Sequence, residues 1–227
     1  MHALLLLFAC LALGFALPAP LAGSGAKLGL AVRDDSAAAD TLAKQLVTIA
    51  SGTSSCATAT NYANECRTAS QAAQPILCAF NRYSITNVNE QAALISLMLY
   101  ESGEFKYNWG HFINGQDEHV AGKGTRNMQS ATYNEQYART LFSADKVDQA
   151  KASANGADAV LQLVSPDQYS FGSAAWFLTS QCTESVRSNL QSGSQDGFEK
   201  YVTDCIGGSM DDKRIDYWTK SKAALAG

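Results

Sequence analysis

The sequence has 227 residues, of which 46% are hydrophobic and 17% are charged, with a formal net charge of -4 at pH 7. A chain of this length and apolar content can bury the core of one domain without a structural metal. The acidic balance and the lack of a basic patch exclude a typical nucleic-acid-binding surface.

Near the start of the chain, residues 3–15 form an apolar run, which is followed by Pro18 and Pro20. Such a run is typical of a secretory signal peptide and is too short to cross a membrane as a stable helix. We predict cleavage near Ala16, so that residues 1–16 are a signal peptide and the mature protein is secreted and extracellular, with no membrane partner. Residues 17–37 are predicted to be a flexible segment, and residues 38–227 a single domain.

Six cysteines are present, and Cys10 falls in the predicted signal peptide, which leaves an odd number in an oxidising compartment. We predict one disulfide between Cys56 and Cys66 and another between Cys182 and Cys205. Cys78 lies within an apolar run, and we predict that it remains a buried free thiol.

Apolar residues recur at helical spacing through most of the chain, and no run alternates as a half-buried strand would. An all-α fold is therefore predicted. The predicted helices cover residues 38–50, 64–83 with a bend or break at Pro75, 131–142, 144–154, 157–164, 172–181, 196–206 and 210–224, the last capped by Ser209.

A central helix is predicted after Asn87, which can cap its start while Glu90 completes a capping box. Residues 91–100 are apolar nearly all round, which indicates a helix buried in the middle of the protein. Gly103 must end it. Residues 103–126 then form a polar, aromatic and Gly-rich loop of a length that is often functional.

Glu101 stands at the end of this central helix. Its apolar surroundings, the negative end of the helix dipole and the absence of Lys or Arg in the preceding turn are each expected to raise its pKa. A carboxyl that stays protonated near neutral pH can donate a proton to a departing sugar oxygen. The alternative is a Glu that ends a core helix and reaches solvent past Gly103.

Two segments resemble known glycosidases. Residues 92–105, which include Tyr-Glu-Ser-Gly-Glu-Phe at 100–105, resemble the catalytic helix of the lysozyme superfamily. Residues 122–129 (Gly-Lys-Gly-Thr-Arg-Asn-Met-Gln) resemble the second signature of family 19 chitinases and of goose-type lysozymes and transglycosylases, and residues 173–177 are similar to a later chitinase helix. Taken together, the motifs are most similar to the catalytic domain of secreted fungal muramidases, which implies a lysozyme-like helical domain.

The resemblance implies roles for individual residues. Glu101 would be the general acid and Gln129 would hydrogen-bond substrate or water, while the turn at Gly122 and Gly124 would let the backbone approach the sugar. An ordinary Gly-rich turn is the alternative for that run. For the water-activating carboxylate of a hydrolase, Asp117 and Glu118 in the loop are favoured over Glu104, which is predicted to be solvated. The side chains predicted either to stack on sugars or to pack in the core are Tyr107, Trp109, Tyr133 and Tyr169.

The sequence thus predicts a secreted, monomeric muramidase that cleaves the glycan strands of peptidoglycan without a cofactor. A chitinase or a lytic transglycosylase on the same scaffold and a non-catalytic glycan-binding protein remain alternatives. His111 and His119 share the loop with Asp117, but their spacing is not that of metal ligands on a helix, so no metal site is predicted.

Overall fold

A computed structural model describes residues 25–113 and 116–226. The predicted signal peptide and residues 17–24 lie outside the described residues. The helices are α1 (Gly25–Ile49), α2 (Ala69–Arg82), α3 (Val88–Glu101), α4 (Ala131–Leu141), α5 (Ala144–Lys151), α6 (Gly156–Val164), α7 (Asp167–Ser170), α8 (Ser173–Ser180), α9 (Glu184–Gln191), α10 (Gln195–Lys200) and α11 (Asp212–Ala226). A 3-10 turn (Ser51–Ser54) follows α1, and a π-helical turn (Tyr201–Ile206) extends α10.

The prediction of an all-α fold is confirmed. Within the described residues the strands are limited to β1 (Phe112–Ile113) and β2 (Gln116–Asp117), which pair antiparallel with Phe112 opposite Asp117. This ribbon interrupts the long loop that the sequence predicts between α3 and α4. Helices α7 and α9 were not predicted, because neither segment is long enough to show a convincing apolar period.

Two helix starts differ from the prediction. Helix α1 begins at Gly25, so residues 25–37, predicted to be flexible, are helical; no Gly or Pro interrupts the chain between Gly29 and Gly52. Helix α2 begins only at Ala69, because the side chain of Gln71 reaches back to the Thr68 amide in a capping box. It then continues to Arg82 without a break, although it contains a proline.

Helix α3 lies at the centre of the fold, as predicted. Its residues from Ala92 to Leu99 are all buried, and it packs against α11, α9 and α8. The Asn87 side chain caps it by accepting hydrogen bonds from the amides of Asn89 and Glu90 at 2.8 and 3.4 Å. The predicted capping box is wrong, because the buried Glu90 carboxylate instead pairs with Arg187 of α9 at 2.5 Å.

Two apolar clusters meet at α8. The larger one surrounds α3 and receives Ala174, Ala175 and Leu178 of α8, while Trp176 and Phe177 enter the smaller one formed with α4 and α6. Helix α8 therefore joins the cluster around α3 to the cluster formed by α4 and α6.

The disulfide predictions have mixed outcomes. Cys56 bonds to Cys66, and Cys182 bonds to Cys205, as predicted. The prediction of a buried free thiol at Cys78 is wrong, since this half-buried residue of α2 is disulfide-bonded and no described cysteine is free. Two disulfides fit an extracellular protein. Among the described helices, none is long and apolar enough to cross a membrane.

We expect the double replacement Cys182→Ser with Cys205→Ser to lower the free energy of unfolding by about 3 kcal/mol. The bond closes a loop with a sequence separation of 23 residues, and its loss enlarges the conformational freedom of the unfolded chain. Urea unfolding followed by circular dichroism measures the change. An unchanged midpoint would contradict it, with Ser188→Ala, an exposed change on α9, as the control.

Candidate functional site

Glu101 lies where the sequence places it, as the last residue of α3. Its Oε1 accepts a hydrogen bond from Nη2 of Arg214 on α11 at 2.6 Å, and the guanidinium of Arg214 lies 3.7 Å from the centre of the Tyr100 ring. The Glu101 side chain is 21% exposed, against 8% for Arg214. No cation lies near Glu101 in the sequence, but Arg214 reaches it from another helix.

Helix α11 also contacts Glu104, the next carboxylate along the chain. The Tyr217 hydroxyl donates to Oε1 of Glu104 at 2.7 Å, and burial, together with this carboxylate, raises the pKa of Tyr217. Arg214 and Tyr217 are three residues apart and thus share one face of α11. The helix begins two residues later than predicted, at Asp212, and Asp211 rather than Ser209 accepts from the Arg214 amide.

The carboxylates favoured as water activators make other contacts. Asp117 accepts a hydrogen bond from the Tyr62 hydroxyl at 2.8 Å, and Glu118 is exposed. Neither has a hydrogen bond or ion pair with Glu101 among the described residues. Glu104, predicted to be solvated surface, is half-buried instead.

Backbone strain is concentrated in the two motif segments. Of the five non-glycine residues with positive φ in the described chain, Glu104 and Phe105 follow Glu101, and Thr125 and Met128 lie in the second motif. A left-handed conformation costs about 1–2 kcal/mol for a residue with a Cβ. Such strain persists where surrounding contacts impose it, and it is frequent at functional sites.

Arg126 joins the two motif segments. This fully buried side chain donates through Nη1 to the carbonyls of Phe105 at 2.9 Å and Tyr107 at 3.0 Å, and through Nη2 to the carbonyl of Glu65 at 2.7 Å. Burial lowers the pKa of Arg126 to about 10, against the opposing effect of Asp167. One guanidinium thus fixes the turn after Glu101 to a third segment near residue 65.

Gln129 and Gly124 make contacts within the protein and do not face an open surface. The Gln129 side chain is buried, accepts from Asn127 at 3.1 Å and donates to Asn134 at 2.8 Å. A Cβ at Gly124 would stand 2.6 Å from the Asn108 carbonyl. The close approach that requires this glycine is therefore with the protein's own backbone, and the predicted contacts of both residues with a sugar have no support in the geometry.

The aromatic residues predicted to stack on sugars lie in different parts of the structure. The half-buried Tyr107 ring meets Tyr62, His111 and Phe112 edge-on, with ring centres 5.1 to 6.2 Å apart. Tyr133 instead packs edge-on against Phe177 in the smaller apolar cluster. Of the four aromatic residues predicted either to stack on sugars or to pack in the core, Tyr107 and Trp109 therefore lie in the loop, whereas Tyr133 and Tyr169 pack against Phe177 and Phe142.

A surface groove of about 570 Å³ runs beside this loop, and we call it the Glu65 groove. Glu65 Oε2 accepts from the amides of Asn108 and Trp109, and its Oε1 lies 2.7 Å from Nε2 of His111. The lining residues are Tyr62, Asn64, Glu65, Arg67, Asn108, Trp109, His111, Gln162, Ser165 and Pro166.

Sequence reasoning missed this groove because it placed residues 64–67 in a helix. The signal that could have found it is Cys66, since a disulfide to Cys56 fixes its neighbours Glu65 and Arg67. His111 and His119 pair with Glu65 and Asp158, so they face different partners. No group of three potential metal ligands was found in the described part of the chain.

Comparison with known protein families found no match, and comparison with solved structures found none. The chain is similar to a bifunctional dioxygenase (DOX)-epoxy alcohol synthase (EAS) of Fusarium oxysporum (strain Fo5176), with 35% identity over 160 residues. The similarity covers 68% of this chain and 12% of that protein. Because the match spans so small a part of the relative, its activities are not assigned to this chain.

We expect Arg126→Met to lower the free energy of unfolding by about 3–5 kcal/mol, because the buried carbonyls of Tyr107 and Glu65 lose their donor and that of Phe105 keeps only the Arg67 amide. Arg126→Lys should lose nearly as much, since one ammonium cannot reach the same three carbonyls. Urea unfolding measures both. The matched control is Arg139→Met, whose side chain is 37% exposed and should change stability by less than about 1 kcal/mol; equal losses at the two positions would contradict the role of Arg126.

Asp158 anchors the second motif in a way that depends on pH. Burial opposes its charged form, but hydrogen bonds from the Gly122 amide and from His119 outweigh burial and lower the pKa of Asp158. A lowered pKa stabilises the fold above the unfolded value, and this contribution is lost as the pH falls through the folded value.

We therefore expect Asp158→Asn to cost about 1–2 kcal/mol of unfolding free energy near neutral pH and almost nothing near pH 2. Unfolding curves at several pH values, with Asp145→Asn on the exposed start of α5 as the control, measure the difference between variant and parent. A difference that does not shrink in acid would contradict the assignment.

Proposed function

We propose that this chain is a secreted glycoside hydrolase of the muramidase type, which acts on peptidoglycan strands with Glu101 as its acid. The observation that carries the proposal is the Arg126 junction. It binds the turn that follows Glu101 to the second motif and to the wall of the Glu65 groove. A carboxyl, a strained turn and a polar groove on one rigid unit are the parts that such a reaction needs.

Within this proposal, Glu101 offers one oxygen to the reaction. Oε1 is held by Arg214, while Oε2 makes no hydrogen bond within the described chain, and the side chain is partly exposed. Glu101 would protonate the departing sugar oxygen through Oε2. Arg214 orients the carboxyl by holding Oε1.

Glu104 is the candidate for the second carboxylate that a hydrolase needs. Glu104 contacts the same face of α11 as Glu101 does, through the Tyr217 hydroxyl. A lytic transglycosylase would need no such group, because the sugar's own hydroxyl attacks. Product mass separates the two reactions, since the transglycosylase leaves anhydro ends, and assays on chitin separate both from a chitinase.

A specific observation favours a second candidate, a non-catalytic glycan-binding protein on the same scaffold. The ion pair between Glu101 and Arg214 gives the carboxylate a structural role that needs no reaction. Such a protein would bind glycan through the Glu65 groove and release no products.

We expect Glu101→Gln to reduce the release of soluble fragments from peptidoglycan by at least about a hundredfold, because an amide N–H is too weak an acid to protonate the leaving oxygen. Mass spectrometry of the products measures the rate. The matched control is Glu184→Gln, which makes the same change at an exposed carboxylate on α9 and should leave the rate unchanged.

Two outcomes would contradict the proposal. If Glu101→Gln stays folded and keeps the full rate, Glu101 is not the acid. If the unmodified protein binds peptidoglycan and chitin but releases fragments from neither, the non-catalytic candidate replaces the hydrolase.

A further inference from the structure

One part of the Arg67 guanidinium is unused at the Glu65 groove. A guanidinium carries five N–H donors. Nε of Arg67 donates to Oδ2 of Asp167 at 2.6 Å, and Nη1 donates to the carbonyls of Asn64 and Cys66 at 2.9 and 2.8 Å. Nη2 makes no hydrogen bond with a described residue, and the Arg67 side chain is 29% exposed in the groove lining. Two donors in a fixed position therefore remain for a ligand.

The charges around Arg67 favour a ligand with a single negative charge. Asp167 is shared, because Nη2 of Arg126 also lies 3.8 Å from its Oδ1, so one carboxylate serves two guanidinium groups. The Glu65 carboxylate lies in the same groove wall, where it accepts from two backbone amides and contacts His111. Its charge would repel a doubly charged phosphate more strongly than a singly charged carboxylate. A carboxylate therefore suits this part of the groove best.

Two neutral side-chain amides lie in the same groove. Asn64 and Gln162 are exposed in its lining, and no described hydrogen bond uses their side-chain amides. Each amide has N–H donors and a carbonyl acceptor, so it can pair with a peptide group, which also has one of each. A sugar acid presents hydroxyl groups instead and cannot form that two-bond pairing. The groove is therefore suited to a carboxylate that is attached to a peptide.

We infer that the Glu65 groove binds the C-terminal end of a peptide, with the terminal carboxylate on Nη2 of Arg67 and with Asn64 and Gln162 pairing with peptide groups. Capture of a chain-terminal carboxylate is a recurring mode of peptide recognition. Because Asp167 and two carbonyls already fix the guanidinium, Arg67 loses little conformational freedom when the ligand binds. The inference goes beyond the proposed function, since it concerns the groove alone and requires no cleavage of glycan.

Calorimetry with a matched pair of peptides tests the carboxylate directly. Acetyl-trialanine with a free carboxylate should bind the unmodified protein at pH 7 with a dissociation constant of about 1 mM or lower. The C-terminal amide of the same peptide has the same shape without the charge, and it should bind at least about tenfold more weakly. The affinity for the acid should fall as NaCl is raised from about 50 to about 500 mM, because salt screens the contact with Arg67.

Substitutions in the groove should weaken binding of the peptide acid. We expect a loss of at least about tenfold for Arg67→Met and of about threefold to tenfold for Asn64→Ala and for Gln162→Ala. The control is Gln149→Ala, which makes the same change at an exposed glutamine of α5 outside the groove and should bind as the parent does. Circular dichroism checks that Arg67→Met folds. If it does not, the two peptides and the two amide variants decide the question.

Several outcomes would overturn the inference. Equal affinity for the peptide acid and its amide, or no binding of the acid at about 10 mM, would remove the carboxylate contact. Inorganic sulfate that binds as tightly as the acid would reduce the groove to a general anion site, and trigalacturonate that binds more tightly would assign it to a sugar acid.

The experiment also separates this inference from the proposed function. The neutral tetramer of N-acetylglucosamine should bind the groove more weakly than the peptide acid. Tighter binding of the tetramer that is lost in Gln162→Ala would assign the groove to glycan and overturn the inference, whether or not the protein cleaves peptidoglycan. Binding of the acid that depends on Gln162, in a protein that degrades no glycan, would support the inference and remove the hydrolase.

Discussion

The site depends on one buried cation. Three backbone carbonyls, from Phe105, Tyr107 and Glu65, meet at one point, and without this side chain those of Tyr107 and Glu65 would have no donor, while that of Phe105 would keep only the Arg67 amide. A guanidinium is the side chain whose fixed fork of donors can reach all three, and its charge is supported by Asp167 at 3.8 Å and by the Phe171 ring at 4.8 Å. Phe105, which supplies one of these carbonyls, and Thr125, which precedes Arg126, both have left-handed backbone conformations.

A second constraint acts on the acidic end of α3. Glu101 and Glu104 are both held by α11, one by an arginine and the other by a tyrosine. The negative end of a helix is an unfavourable place for two carboxylates, and α11 offsets this with a cation and a hydroxyl. If Glu101 is an acid, Arg214 is therefore the group that orients its carboxyl.

The parts of the fold that could be predicted depend on local pattern. Helix α3 is marked by an apolar run after a capping Asn87, and two disulfides followed from where the cysteines stand relative to loops and helices. Glu90 shows the limit, since its partner Arg187 lies on another helix and a local capping box was predicted instead. Arg214 beside Glu101 and Glu65 beside His111 were missed for the same reason. The motif at residues 122–129 was found by resemblance, but the sequence could not show that Gln129 is engaged by Asn127 and Asn134.

The contacts between α11 and the two carboxylates also determine the order in which the site can be assembled. Each joins residues 113 positions apart along the chain. While the protein is being synthesised, α3 and both motif segments emerge well before Arg214 and Tyr217 exist. Contacts of such long sequence separation form late and slow the folding of a domain. Glu101 and Glu104 therefore lack their partners until α11 docks, and the site acquires its final electrostatics only when this last described helix is in place.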